Sequence, residues 1–150
     1  MPLRGTEVVG LPVTVDILVN SLVCRATRAA WSYDYVNSHS VEANISAVEG
    51  SVRCRIPERE LLIAFKIHSG RRADVRDIVM LVEDADLEKV LGHLRRGSVE
   101  ALKGQVKMII AALEDKNLVN SLKGVFTLAV DVERQIDSTR RFINSILNNL

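Results

Sequence analysis

Ile56-Pro57-Glu58-Arg59-Glu60-Leu61-Leu62-Ile63-Ala64-Phe65-Lys66 is the stretch at which this 150-residue chain changes its hydrophobic period. Before it, apolar and polar residues alternate. Val52, Cys54 and Ile56 follow Glu49-Gly50, and Val41, Ala43 and Ile45 alternate with polar partners. The pattern predicts a hairpin joining 41–46 to 51–56 through a short Gly-containing loop. Further upstream, Val13, Val15, Ile17 and Val19 alternate with Thr14, Asp16 and Leu18 after Pro12, which predicts a strand carrying a carboxylate on its second face. The segment 23–38 carries two signals. Trp31, Tyr33 and Tyr35 fall at period two, whereas Ala26, Ala29 and Ala30 favour helix; the reading adopted is a short helix followed by a loop.

From Pro57 onward the period is helical. Pro57 suits a first helical position, Glu58 and Glu60 favour the positive helix start, and Ser69-Gly70 closes the helix. A second helix over 73–83 carries Val75, Ile78, Val79 and Val82 on one face. Asp86 caps a third that stops at Gly97, and Ser98 caps a fourth carrying Leu102, Val106, Ile109, Ile110 and Leu113. In the last helix Val132, Ile136, Thr139, Ile143, Ile146 and Leu150 form a seam at alternating steps of four and three. The seam either packs inside the chain's own helical layer or meets a partner helix. The expected fold class is α+β: a small mixed or antiparallel sheet of about three strands, then a helical C-terminal layer of about five helices. The division falls at an α+β region over 1–84 and a helical region over 85–150.

Composition limits what such a fold can do. With 47% hydrophobic and 26% charged residues the chain reads as an ordinary globular protein, and a net charge of +1 gives no global drive toward nucleic acid or membrane. No apolar run approaches the roughly 18 residues of a membrane span. Met1 to Gly10 lacks the continuous apolar core of a signal peptide, so the expected compartment is the cytoplasm. Cys24 and Cys54 belong to no Cys-x-x-Cys pair; they are either free thiols or partners in one disulfide. His39, His68 and His93 are scattered and share no ligand spacing, which argues against a metal site built from them.

The opening stretch, followed by Gly70-Arg71-Arg72-Ala73-Asp74-Val75-Arg76-Asp77-Ile78, resembles the helix pair after the catalytic sheet in nucleotidyltransferase-fold proteins of the DNA polymerase beta-like superfamily. Predicted archaeal nucleotidyltransferases and antiphage toxin transferases are among its members. In those families a strand with a central acid precedes a hairpin ending in Pro/Ser-x-Glu-x-Leu. A helix with a Lys follows, then Gly-Arg-x-Lys-Asp-x-x-Asp-Ile. The ordered set is similar over residues 12–84, roughly half of the chain, and Ala73 departs from the Lys common at its position.

The resemblance implies Asp16 as the third catalytic carboxylate, Lys66 and Arg71 as nucleotide- or phosphate-binding candidates, and Asp74 and Asp77 as a structural corner. For a complete family member it implies two magnesium ions and a nucleoside triphosphate, the metals neutralising charge on the transferred phosphoryl group. The first two carboxylates of that site follow a Gly-Ser turn. Neither Gly50-Ser51 nor Gly97-Ser98 is followed by them, and Asp84-Ala85-Asp86 reads as a helix cap. The expectation is therefore a truncated or partial nucleotidyltransferase-like chain, inactive alone and without metal or cofactor of its own.

Two other functions remain open on the residues. One is an interaction module, dimerising through the sheet edge at 13–19 and the C-terminal helix. The other is a small nucleic-acid-binding protein using residues 51–76, where Arg53, Arg55, Arg59, Lys66, Arg71, Arg72 and Arg76 outnumber Glu58, Glu60 and Asp74. Trp31, Tyr33 and Tyr35 beside Arg25 and Arg28 are either core residues or a base-stacking surface.

Overall fold

The computed structural model describes residues 20–48, 50–125 and 131–150. The strand expected over 13–19, and Asp16 with it, lies outside them. The described chain is α+β, with 61% of residues in helices and two antiparallel two-stranded sheets. Strands β1 (Ser21–Cys24) and β2 (Ala29–Ser32) pair first, and β2 runs directly into a short helix α1 (Tyr33–Ser38). Strands β3 (Ser40–Ala47) and β4 (Gly50–Pro57) form the second hairpin. Its register sets Val41 opposite Ile56, Ala43 opposite Cys54 and Ile45 opposite Val52.

Two readings of the sequence are corrected here. Residues 23–38 are not a helix followed by a loop; they are strand, turn, strand and then helix. Helix propensity at Ala29 and Ala30 is a weak preference that tertiary packing overrides. Ala29 and Trp31 are buried and their neighbours exposed, the period of a half-buried strand. Arg28, at φ 59°, makes the turn between the strands. Pro57 is the second correction. It ends β4 rather than opening the helix, and Glu58 occupies the N-cap.

Six helices follow: α2 (Arg59–Ser69), α3 (Arg72–Leu81), α4 (Leu87–Leu94), α5 (Val99–Leu113), α6 (Leu118–Val125) and α7 (Val132–Asn149). Their boundaries obey local chemistry. Gly70 closes α2 in the left-handed conformation, φ 61°, with its amide donating to the Lys66 carbonyl at 2.9 Å. Asp86 caps α4 by accepting from the Lys89 amide, and Ser98 caps α5 by accepting from the Ala101 amide. Asp131 caps α7 through the Glu133 and Arg134 amides. No helix among the described residues is long and apolar enough to cross a membrane.

The main core lies between these helices and includes Ile63, Ile67, Val75, Ile78, Leu91, Leu94, Leu102 and Ile109. Val132, Ile136, Ile143 and Ile146 of α7 enter the same cluster, Thr139 is buried with them, and Leu150 packs at its margin. The C-terminal seam is thus covered by the chain's own helices and presents no free stripe to a partner. Thr139 is tolerated because its hydroxyl donates to the Gln135 carbonyl at 2.8 Å. A second, smaller cluster of Ala29, Trp31 and Leu61, flanked by Phe65 and Tyr35, fastens the β1–β2 hairpin to α2.

The tip of that hairpin also docks beyond α4. The Ser98 amide donates to the Thr27 carbonyl at 2.7 Å, and Gly97 sits beneath with φ 68°. A Cβ at Gly97 would fall inside contact distance of the Thr27 carbonyl and the Ala29 amide. Both the left-handed backbone and the backbone neighbours resist a side chain. Gly97→Ala is therefore expected to destabilise by about 2 kcal/mol or more. Urea unfolding should show this as a lower midpoint; an unchanged midpoint would mean that the hairpin tip is not held against residue 97.

Candidate functional site

Helices α2 and α3 meet at a corner built from the residues the sequence nominated. Lys66, in the last turn of α2, extends its ammonium to Asp74 at 3.0 Å and to Asp77 at 2.6 Å, one turn apart on α3. Asp74 also accepts from the Arg71 backbone amide at 3.2 Å and from Arg71 Nε at 2.9 Å. The Asp74 side chain is only 2% exposed, whereas that of Arg71 is 76% exposed. Lys66, Arg71, Asp74 and Asp77 therefore form one junction.

Its electrostatics follow from the contacts. The Asp77 carboxylate raises the Lys66 ammonium above its ordinary pKa; burial opposes this and Asp74 adds to it. Burial by itself would raise the Asp74 carboxyl, but Arg71, Ser69 and Lys66 outweigh it and hold it below the usual range. Asp74 also fills the amide-rich start of α3, where an external phosphate would otherwise find donors. Chemically the corner is a neutralised clamp. Its most exposed element is the Arg71 guanidinium, which engages Asp74 through Nε alone.

Among the basic residues of 51–76, Lys66, Arg71 and Arg72 pair with carboxylates, whereas Arg55, Arg59 and Arg76 bond neutral groups that leave their charge uncompensated. Arg55 donates to the Asn37 and Ser40 carbonyls, Arg59 to the Glu83 carbonyl, Arg72 to Asp115 and Arg76 to Ser121. The aromatic triplet is divided as well. Trp31 is buried edge-on to Phe65 and His68, Tyr33 is exposed, and Tyr35 lies under Arg96, whose guanidinium carbon is 4.0 Å from the ring centre. Cys24 and Cys54 are half-buried free thiols, with Cys24 Sγ donating to the His68 carbonyl.

The histidines are where sequence reasoning missed a grouping. His39 at the end of α1, Glu58 at the start of α2 and His93 in the last turn of α4 bring their ligand atoms within 4.8 Å of one another. His93 Nε2 meets Glu58 Oε1 at 3.1 Å, and His93 Nδ1 meets the Tyr35 hydroxyl at 2.7 Å. His39 Nδ1 lies 2.9 Å from the Tyr35 carbonyl, and its ring stacks on that of Tyr35. Glu58 makes no side-chain bond to its own helix start, although it occupies the N-cap. Its carboxylate turns to His93 instead. Burial lowers the His93 pKa; Glu58 opposes that, while His39 and Arg96 reinforce it.

No signal in the spacing could have found this group, because 19 and 35 residues separate its members along the chain and each comes from a different element. No protein-family model, curated protein or solved structure matches this chain. His68, the remaining histidine, is fully buried between Thr27 and Leu94 and belongs to the core. A cleft of about 360 Å³ between the end of α3 and α7, lined by Glu83, Asp84, Asp131 and Arg134, includes neither the corner nor the histidine group.

Proposed function

We propose that this chain is a nucleotidyltransferase-like protein whose hairpin–α2–α3 unit supports a nucleotide or phosphate site without itself transferring a nucleotidyl group. The observation that supports this reading is the Lys66–Asp74–Asp77–Arg71 junction, standing directly after a β-hairpin in the order that the family likeness implies. Arg71 is the phosphate-contacting residue in this reading, since its terminal nitrogens face solvent while Nε is anchored. Lys66 is a positioning residue, its charge already matched by two carboxylates.

Magnesium does not fit the carboxylates of the α2–α3 corner. Asp74 and Asp77 converge on an ammonium, and Glu60 accepts from the Asp86 amide at the α4 cap. The expected result is no nucleotidyl transfer to any acceptor from labelled nucleoside triphosphates and magnesium. Equilibrium dialysis should instead detect triphosphate binding that weakens about fivefold in Arg71→Ala, the loss of one exposed charge-assisted contact. Turnover abolished by Asp16→Ala would overturn the non-catalytic reading. Absence of any triphosphate binding would overturn the nucleotide reading altogether.

Self-association and a cytoplasmic setting belong to the same proposal. Val41, Ile45, Val52 and Ile56 are exposed on one face of the β3–β4 hairpin, and a second copy of that face is its natural cover. Light scattering across a concentration range tests this, with a mass that stays monomeric counting against it. Two free thiols suit a reducing compartment.

A further inference from the structure

We propose that His39, Glu58 and His93 form a binding site for a single divalent transition-metal ion of the zinc type, with one coordination position left to water. Two imidazole nitrogens and one carboxylate oxygen are a ligand set that zinc takes in open, three-residue sites. The three ligand atoms lie within 4.8 Å of one another, and the His93–Glu58 pair stands at 3.1 Å. Around a tetrahedral ion with bonds near 2.0 Å, neighbouring ligand atoms sit about 3.3 Å apart. One pair is already at that spacing. Closure of the rest needs a shift of about 1.5 Å at most, within reach of a slide of the His39 ring over Tyr35.

The outer contacts decide which nitrogens face the ion. The Tyr35 carbonyl can only accept, so His39 Nδ1 carries the proton and its Nε2 keeps a lone pair. With a carboxylate as its partner, His93 Nε2 carries the proton while Nδ1 accepts from the Tyr35 hydroxyl. On metal binding the His93 proton transfers from Nε2 to Nδ1, and the Tyr35 hydroxyl turns to accept it. The imidazole stays neutral, so no proton is gained or lost by it. Tyr35 thus holds both rings, one through its backbone and one through its hydroxyl, as outer partners hold histidine ligands in metal sites.

The backbone adds a further tie. The Glu58 amide donates to the His39 carbonyl at 2.8 Å, fixing two of the three ligand-bearing residues to each other. The diversion of the Glu58 carboxylate away from its own helix start is the feature that a purely structural N-cap does not explain. One group opposes the ion: Arg96, stacked on the far side of the site against Tyr35. It limits affinity without entering the ligand set.

The full chain, stripped with chelator and titrated with Zn²⁺ by calorimetry, should bind one ion per chain. Co²⁺ should give the intense visible bands of a four- or five-coordinate site. His39→Gln and Glu58→Gln, both at half-buried positions, should each lower the affinity at least tenfold. Tyr35→Phe should lower it about tenfold while keeping the stoichiometry, because it removes only an outer hydroxyl. Cys24→Ser/Cys54→Ser should leave binding unchanged. The proposal is overturned by an absence of Zn²⁺ binding, or by binding that survives both His39→Gln and Glu58→Gln in chains whose circular dichroism matches the parent. Neither result touches the triphosphate reading, which rests on Arg71.

Discussion

Between pH 6.5 and about 4 the protein is expected to lose roughly 3 kcal/mol of stability through one side chain, His68. The ring is fully buried; Nε2 faces the Leu94 carbonyl at 3.1 Å and Nδ1 faces the Thr27 hydroxyl at 2.7 Å. The carbonyl cannot donate, so Nε2 carries the proton and Nδ1 accepts from Thr27. Both nitrogens are satisfied only in the neutral ring. Protonation would force the Thr27 hydroxyl to turn round and would place a charge beside Trp31 in the core. Burial, aided by Arg96 and opposed by the Leu94 carbonyl, lowers the pKa from 6.5 to about 4.

The sign follows from linkage. The unfolded chain takes up the proton first, so the contribution is whole above pH 6.5 and falls as pH drops toward the folded value. His93 adds a loss of the same sign, since its pKa is also lowered. Urea midpoints measured from pH 7.5 to 4 should show the decline, and His68→Gln should flatten it while lowering the neutral-pH midpoint. A variant that keeps the full slope would show that His68 is not the group responsible.

How much of this could be read from the residues depended on whether the signal was local. The β3–β4 hairpin was legible because Val41, Ala43, Ile45 and Val52, Cys54, Ile56 alternate about a Gly-containing turn. The caps at Asp86, Ser98 and Gly70 were legible for the same reason. Helix α6 was not, although Leu118 and Leu122 stand one turn apart, because eight residues show too few periods to rise above their polar surroundings. The β1–β2 hairpin failed differently. Its alanines carry helix propensity, and only packing on Leu61 and Phe65 decides for strand. Within the candidate sites the same division holds. The Lys66–Asp74–Asp77 corner spans a single helix junction and was nominated from its motif, whereas the His39–Glu58–His93 group exists only once α1, α2 and α4 have been assembled.

Asp74→Ala is expected to be the most damaging change at the α2–α3 corner, at about 2–3 kcal/mol. It removes a carboxylate that is 2% exposed and that serves the Arg71 amide, the Arg71 guanidinium and the Lys66 ammonium together. The start of α3 then has a donor without a partner, and Lys66 keeps only Asp77. The cost stays below that of a fully enclosed pair because Lys66 and Arg71, at 30% and 76% side-chain exposure, can turn to water. Asp77→Ala should cost within about 1 kcal/mol, since that carboxylate is 37% exposed. Distance alone would rank the two the other way, for Lys66 stands 2.6 Å from Asp77 and 3.0 Å from Asp74. Burial and the number of partners, rather than the shortest contact, set the order. The Asp74 pKa is held below its ordinary 3.8, so its contribution is present above that pH and is lost as pH falls through the folded value, beneath the His68 window. Urea unfolding of both variants at pH 7, with unchanged m-values, measures the difference directly. Equal losses would place the weight of the corner on the Lys66–Asp77 pair, and Asp74 would then be an ordinary helix-start acid.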